Sequence, residues 1–209
     1  MLTIVTPASN RKLTTASTLA DELGSVSVVE FVRMDRLIER ASAMISRYCD
    51  RGFAREVLRQ EFRQPLPNSI RLARNPAAVT AVAIDGVALA SSDWRLDADA
   101  QVLYRVSPQG AEVNWCGWRT VVDYTAGYVL PGDPGYAAAP PDERLPADVE
   151  HACIMLCTAL RSSAGRDPML RSESTEGVGS TSWIATAEMG ALPPQVADML
   201  APYRRLTVG

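Results

Sequence analysis

The stretch that decides the fold reads Thr80-Ala81-Val82-Ala83-Ile84-Asp85-Gly86-Val87-Ala88-Leu89. Thr80, Val82 and Ile84 alternate with small alanines, and a period of two puts them on one face of a strand. Asp85-Gly86 then stands where a type I′ hairpin turn needs two residues at positive φ. Val87 and Leu89 continue on the return strand. A turn this short joins only antiparallel neighbours. The same period extends outward in both directions. Val57–Phe62 and Ile70–Leu72 precede the hairpin as candidate strands. Trp94–Leu96 and Val102–Val106 flank a turn at Asp97–Ala100, and Thr120–Thr125 ends at Ala126-Gly127. Residues 54–129 therefore read as an inserted antiparallel β lobe.

On either side of the lobe the period becomes helical. Thr14 or Thr15 can cap a short helix to about Leu23, stopped by Gly24. A second helix is expected from about Asp35 to Cys49, where Leu37, Ile38, Ala41, Met44, Ile45 and Tyr48 form one apolar stripe. Residues 1–53 are thus the N-terminal helices of a bundle. Residues 130–165 combine a proline-rich loop, Leu130 to Pro146, with a long helix to about Ser162. Pro146 suits its first turn, and Asp148 and Glu150 complement its dipole. Val149, Ala152, Cys153, Leu156, Cys157 and Leu160 form the main apolar face. Ile154 and Met155 project from the other side, so this helix is apolar on two faces and they are candidates for a subunit interface. Residues 166–209 hold an extended C-terminal arm and a short terminal helix, Gln195 to Tyr203, behind Pro193-Pro194. The expected class is α+β: three to four helices in a small bundle, an inserted antiparallel lobe and an arm.

Composition narrows the chemistry. The chain has 209 residues, 47% hydrophobic and 22% charged, within the globular range. A net charge of -3 leaves no basic footprint for sequence-specific nucleic-acid binding. Lys12 is the only lysine, so Schiff-base and phosphate-loop lysine chemistry have one residue to draw on. His151 is the only histidine. On a helix it points about 200° away from Cys153, so His151, Cys153 and Cys157 do not converge on a metal ion. Asp97-Ala98-Asp99 begins like a calcium loop, but Gln101, Val102 and Pro108 stand where a ligand, a glycine and a glutamate belong. Trp115 and Trp118 read as hydrophobic cover for the lobe. The four cysteines lack paired spacing and are expected reduced, in a protein made in the cytoplasm. No stretch reaches the length of a membrane span. No cofactor, metal or catalytic residue is expected.

The arm from Arg171 to Thr186 is rich in Ser, Thr and Gly, with Val178, Trp183 and Ile184 as its large apolar groups. Such a segment buries little surface alone and suits folding on a partner, for instance by adding a strand to a sheet edge.

Taken in order, several local patterns resemble one family. They are Val5-Thr6-Pro7; Asp35-x-Leu37-Ile38 through Tyr48-Cys49; Gly52-Phe53; Val79-Thr80-Ala81-Val82; and Asp85-Gly86. Val122 to Tyr128 follows, then Leu145-Pro146-Ala147-Asp148-Val149, Ser172 to Ser180, and Leu192-Pro193-Pro194 to Pro202-Tyr203-Arg204. The set resembles the head–tail connector, or adaptor, proteins of tailed bacteriophages and gene-transfer particles, in the branch with a β insertion. The resemblance implies a non-enzymatic virion protein of the neck, a homo-oligomer in a ring of about twelve copies. Such a ring lies under the portal protein, extends the DNA channel and docks the next neck or tail-completion protein. Double-stranded DNA passes through without specific binding. The resemblance further implies that the arm reaches the portal, through Glu176, Gly177, Val178, Gly179, Ser180, Trp183 and Ile184, with Tyr203 and Arg204. The alternatives are a tail-side neck component (a stopper or tail terminator) and a small cytoplasmic enzyme using His151.

Overall fold

The Asp85-Gly86 turn forms as its sequence predicts: both residues have positive φ, 50° and 86°. In this computed structural model the described residues are 1–24, 28–163, 172–175, 179–182 and 192–205. The turn joins β4 (Pro76–Ile84) to β5 (Val87–Ala88), with Ile84 opposite Val87. Around it lie β1 (Leu2–Thr6), β2 (Glu56–Phe62) and β8 (Thr120–Ala126), giving a five-stranded antiparallel sheet in the order β1-β2-β8-β4-β5. A second sheet is built from β3 (Ser69–Arg71), β6 (Trp94–Asp97) and β7 (Val102–Arg105), in the order β3-β7-β6.

The alternation along β8 is complete. Thr120, Val122, Tyr124 and Ala126 are buried, and the residues between them are half-exposed. Val122, Tyr124 and Ala126 share one core with Leu58, Val82 and Ile84 of the large sheet and with Ile70 and Leu103 of the small one. The two sheets therefore pack face to face. Trp115 lies fully inside this core and its indole N–H donates to the Asn68 carbonyl at 3.1 Å. Each such large apolar side chain contributes about 1.5–3 kcal/mol by leaving water. Gln60 is a buried polar residue beside this core, and its Oε1 accepts from the Tyr124 hydroxyl at 3.1 Å and from the Ala73 N–H at 2.8 Å.

Met1–Arg11 and Phe53–Arg144 form one compact unit; Lys12–Gly52 and Leu145–Gly209 form the other. The first residues thus go with the sheet, through a strand at Leu2–Thr6 that the sequence did not announce. The proline-rich loop is ordered by its own polar groups. Asp133 accepts from the Leu130 N–H at 2.8 Å and from Asn10 at 3.2 Å. Arg144 donates to the carbonyls of Ala139 and Ala137 and lies over the Tyr136 ring.

The second unit is helical. Its helices are α1 (Ala16–Leu23), α2 (Val28–Tyr48), α3 (Ala147–Ser163) and α4 (Pro194–Leu200). Thr15 caps α1 by accepting from the Thr18 N–H at 3.1 Å, and Gly24 ends it at φ 79°. Helix α2 begins at Val28, well before the expected Asp35. Its early residues Phe31 and Val32 are exposed, so the buried stripe starts only with Met34 and Ile38. Leu19, Ile38, Ile45, Val149, Leu156 and Leu200 form the core of the unit. Ser42 ties three segments together: it accepts from the Leu13 N–H at 3.0 Å and lies 3.7 Å from the Cys153 sulfur. Within the arm, β9 (Ser172–Thr175) and β10 (Gly179–Ser182) pair with each other as an antiparallel ribbon.

Candidate assembly interface

The arm residues divide between described and undescribed positions. Gly179 stands opposite Thr175 and Ser180 opposite Ser174 in the β9–β10 ribbon. Glu176, Gly177, Val178, Trp183 and Ile184 lie outside the described residues. Tyr203 closes a 3-10 turn, Ala201–Tyr203, directly after α4. The chain then folds back on the end of α2. The Arg204 guanidinium sits 5.4 Å from the Tyr48 ring centre, and the Arg205 N–H donates to the Cys49 carbonyl at 2.9 Å. Arg204 is therefore packed against the end of α2, with Tyr203 in the turn just before it.

On α3, Ile154 is 8% exposed and already covered by its own chain. Met155 beside it is half-buried. Of the two apolar positions on that side, Met155 retains the larger uncovered surface.

The residues weighed for chemistry are kept apart. His151 is exposed on α3, whereas Cys153 and Cys157 are fully buried. The hydrogen bond with Cys153, together with burial, pushes the Cys157 thiol far up, away from the reactive thiolate. Burial raises Cys49 to about 11. Among the described residues no cluster of His, Cys, Asp and Glu is arranged to hold a metal ion. Lys12 is held by Asp35 and Glu39, and the Asp35 hydrogen bond raises its pKa. Glu150 accepts from Thr14 at 3.1 Å, and burial raises its carboxyl. Asp97 accepts from the Ala100 N–H at 3.0 Å, so this aspartate serves the β6–β7 hairpin. Among the described helices, none is long and apolar enough to cross a membrane.

The two neighbouring tryptophans part company. Trp115 is core, but Trp118 is 74% exposed. The expectation that both cover the lobe is corrected here for Trp118. Its segment is fixed nonetheless: Asp85 accepts from the N–H groups of Trp118 and Arg119. Gly117 has no room for a side chain, since a Cβ would lie 2.2 Å from Ile84 Cγ2. On the edge strand β1, Leu2, Ile4 and Val5 are exposed as well. Sequence reasoning missed both places. Exposed apolar residues carry no periodic signal, and only the strand order shows that β1 is an edge and that Trp118 stands just before the central strand.

The chain is similar over its whole length to chains of solved particle structures. The likeness is one of fold. A chain of the "Neck of empty GTA particle computed with C6 symmetry" matches at a TM-score of 0.57 and 20% identity, covering 100% of this chain and 98% of that one. A chain of the "Neck of native GTA particle computed with C12 symmetry" matches at 0.54 and 18%, with the same coverage. A chain of the "Virion of native gene transfer agent (GTA) particle" matches at 0.55 and 19%, again covering 100% and 98%. No protein family and no curated protein matches the chain.

Proposed function

We propose that this protein is a structural component of the neck of a phage-like particle, and within the neck the ring-forming adaptor between the portal and the next neck or tail protein. One observation carries the reading: from end to end, the chain shares its fold with chains of gene transfer agent necks. Both halves of the molecule take part in that match, so it is not a likeness of one common β-sandwich or one common bundle.

The role is mechanical and non-enzymatic. A heterologous contact repeated around an axis closes a ring, and the ring surrounds the path of double-stranded DNA. A chain with net charge -3 adds negative charge with every copy, which favours passage of DNA over adhesion. The β9–β10 ribbon and its flanks, with Glu176, Gly177, Val178, Trp183 and Ile184, form the portal-binding arm. The ribbon's own residues Ser172–Thr175 and Gly179–Ser182 include no large apolar type, so a portal strand added to it would bring apolar side chains to it.

Imaging of particles from a producer lacking this gene tests the reading. Filled or leaking heads beside unattached tails are expected. Normally joined particles would overturn it. The arm is tested separately by replacing residues 171–186 with a Gly-Ser linker, which keeps the buried Val196 and Leu200 of α4 in place. Crosslinking the arm to the portal supports the adaptor role; crosslinking only to a tail protein assigns the chain to the tail side of the neck.

A further inference from the structure

The arginines of α2 fall on one side of the helix. Arg33, Arg36, Arg40 and Arg47 are all exposed. At about 100° per residue they lie within a sector of about 60°, roughly 140° from the buried Met34, Ile38, Ala41 and Ile45. The row is about 21 Å long at 1.5 Å per residue. The helix has three carboxylates, Glu30, Asp35 and Glu39, and each meets a cation from another segment. Glu30 meets Arg161 at 3.3 Å, and Asp35 and Glu39 both meet Lys12. Among the described residues no carboxylate pairs with any arginine of the row.

Such a row does not help the isolated fold. Like charges three and four residues apart on a helix repel, and Arg33, Arg36 and Arg40 have that spacing. An anion with many charges in a line would relieve the repulsion. Duplex DNA carries about one negative charge per 1.7 Å of its axis, so a row of cations this long meets phosphates without needing one register. The planar guanidinium suits two phosphate oxygens at once. A protein partner fits less well. Between Arg33 and Arg47 the exposed residues are Arg36, Glu39, Arg40 and Ala43. None is a large apolar side chain, the kind on which protein interfaces centre.

We propose that the outer face of α2 contacts the phosphate backbone of double-stranded DNA through Arg33, Arg36, Arg40 and Arg47. The inference rests on the neck reading above, which brings a duplex within reach of the chain. Phosphate contacts carry no sequence information, so the face binds any duplex alike. It is also compatible with the net charge of -3. Four cations in an otherwise acidic chain give a weak, salt-sensitive hold, the kind that lets DNA slide.

The test titrates the purified full chain against a fluorescein-labelled, random-sequence duplex and reads anisotropy. With four phosphates neutralised, affinity should fall about 150-fold between about 50 and 200 mM salt. For the double variant Arg36→Gln, Arg40→Gln the fall should be only about 12-fold, with an unchanged melting temperature because both sites are exposed and unpaired. The control Arg63→Gln, Arg95→Gln makes the same charge change in the β unit, on arginines paired with Glu61 and Glu112. It should keep the wild-type salt dependence. No binding at about 50 mM salt, or an equal effect of the two double variants, overturns the proposal. Competition by polyglutamate as strong as by unlabelled duplex overturns it too, and assigns the face to an acidic protein. None of these outcomes touches the neck reading, which fails only if particles lacking this gene are normally joined.

Discussion

The carboxylate of Asp85 accepts a hydrogen bond from the backbone N–H of Trp118, at 3.1 Å, and holds the most exposed tryptophan in the β unit in one place. The same oxygen accepts from Arg119 at 2.8 Å, and the Asp85 N–H donates back to the Arg119 carbonyl. One residue therefore does two jobs. Its backbone takes the positive φ of the hairpin turn, and its side chain caps a second turn far away in sequence.

Asp85→Ala removes both roles. Two N–H groups lose an acceptor, and alanine is forced to a φ of 50°. The expected loss is about 2–3 kcal/mol. Asp85→Asn keeps the tolerance for positive φ and one side-chain oxygen, so its loss should be about 1 kcal/mol. Urea unfolding of the two variants checks the order; equal losses would show that neither the tolerance for positive φ nor the retained side-chain oxygen contributes.

Gly127 lies in the Tyr124-Thr125-Ala126-Gly127-Tyr128 motif, at φ 96° and with a would-be Cβ 2.2 Å from the Ala54 carbonyl oxygen. Gly110 has a similar φ of 84° but open space around it. Gly110→Ala should cost only the conformational penalty, about 1–2 kcal/mol. Gly127→Ala must also push back the Phe53–Ala54 backbone, whose Phe53 carbonyl accepts from the Tyr128 N–H at 2.7 Å. It should exceed Gly110→Ala by at least about 2 kcal/mol or leave the protein insoluble. Soluble yield and denaturant midpoints compare the pair directly.

These two sites show what was legible in sequence. Asp85-Gly86 and Ala126-Gly127 are local punctuation, and β8 alternates because one of its faces is core. Helices α1, α3 and α4 carry caps or prolines that mark their starts. What escaped detection has a common cause. The side chains of β1 are all exposed, so the strand shows no alternation. The first turns of α2 expose Phe31 and Val32, so their apolar residues fall out of phase with the buried stripe. Trp115 and Trp118 are both tryptophans beside small residues, and only the pairing of Leu66 with Trp115 across the lobe makes one of them core. The separation of Cys153 from His151 was readable, because 100° per residue settles it within one helix.

Glu56 is buried at the start of β2 with Arg11 at 3.0 Å on one oxygen and Arg74 on the other. The two arginines are not equivalent. The Arg11 side chain is 68% exposed and that of Arg74 26%. Arg11→Met should cost less than about 1 kcal/mol, as surface pairs do. Arg74→Met removes the less exposed partner of a buried carboxylate and should cost about 2–3 kcal/mol. In the double variant Glu56 has lost both partners, and the loss should exceed the sum of the two. Additive losses in a double-mutant cycle would mean that Glu56 keeps enough water to do without either arginine.

The hydrogen bonds from Arg119 and Arg63 hold Glu61 at about 2, below its ordinary value of 4.5. A carboxyl whose folded pKa is depressed stabilises the fold above its unfolded pKa and loses that contribution as pH falls to the folded value. In the window between about 4.5 and 2 the unfolded chain binds the proton more readily, so stability should fall with pH there. Glu61→Gln has no proton to exchange, and its stability should fall less steeply across the same window. The cluster is at the surface, so salt at about 1 M, with a screening length near 3 Å, should shrink the difference between the two proteins. Urea midpoints measured across that window, at low and high salt, give the comparison. Parallel curves for the two proteins at low salt would mean that the arginines do not hold this carboxylate in solution.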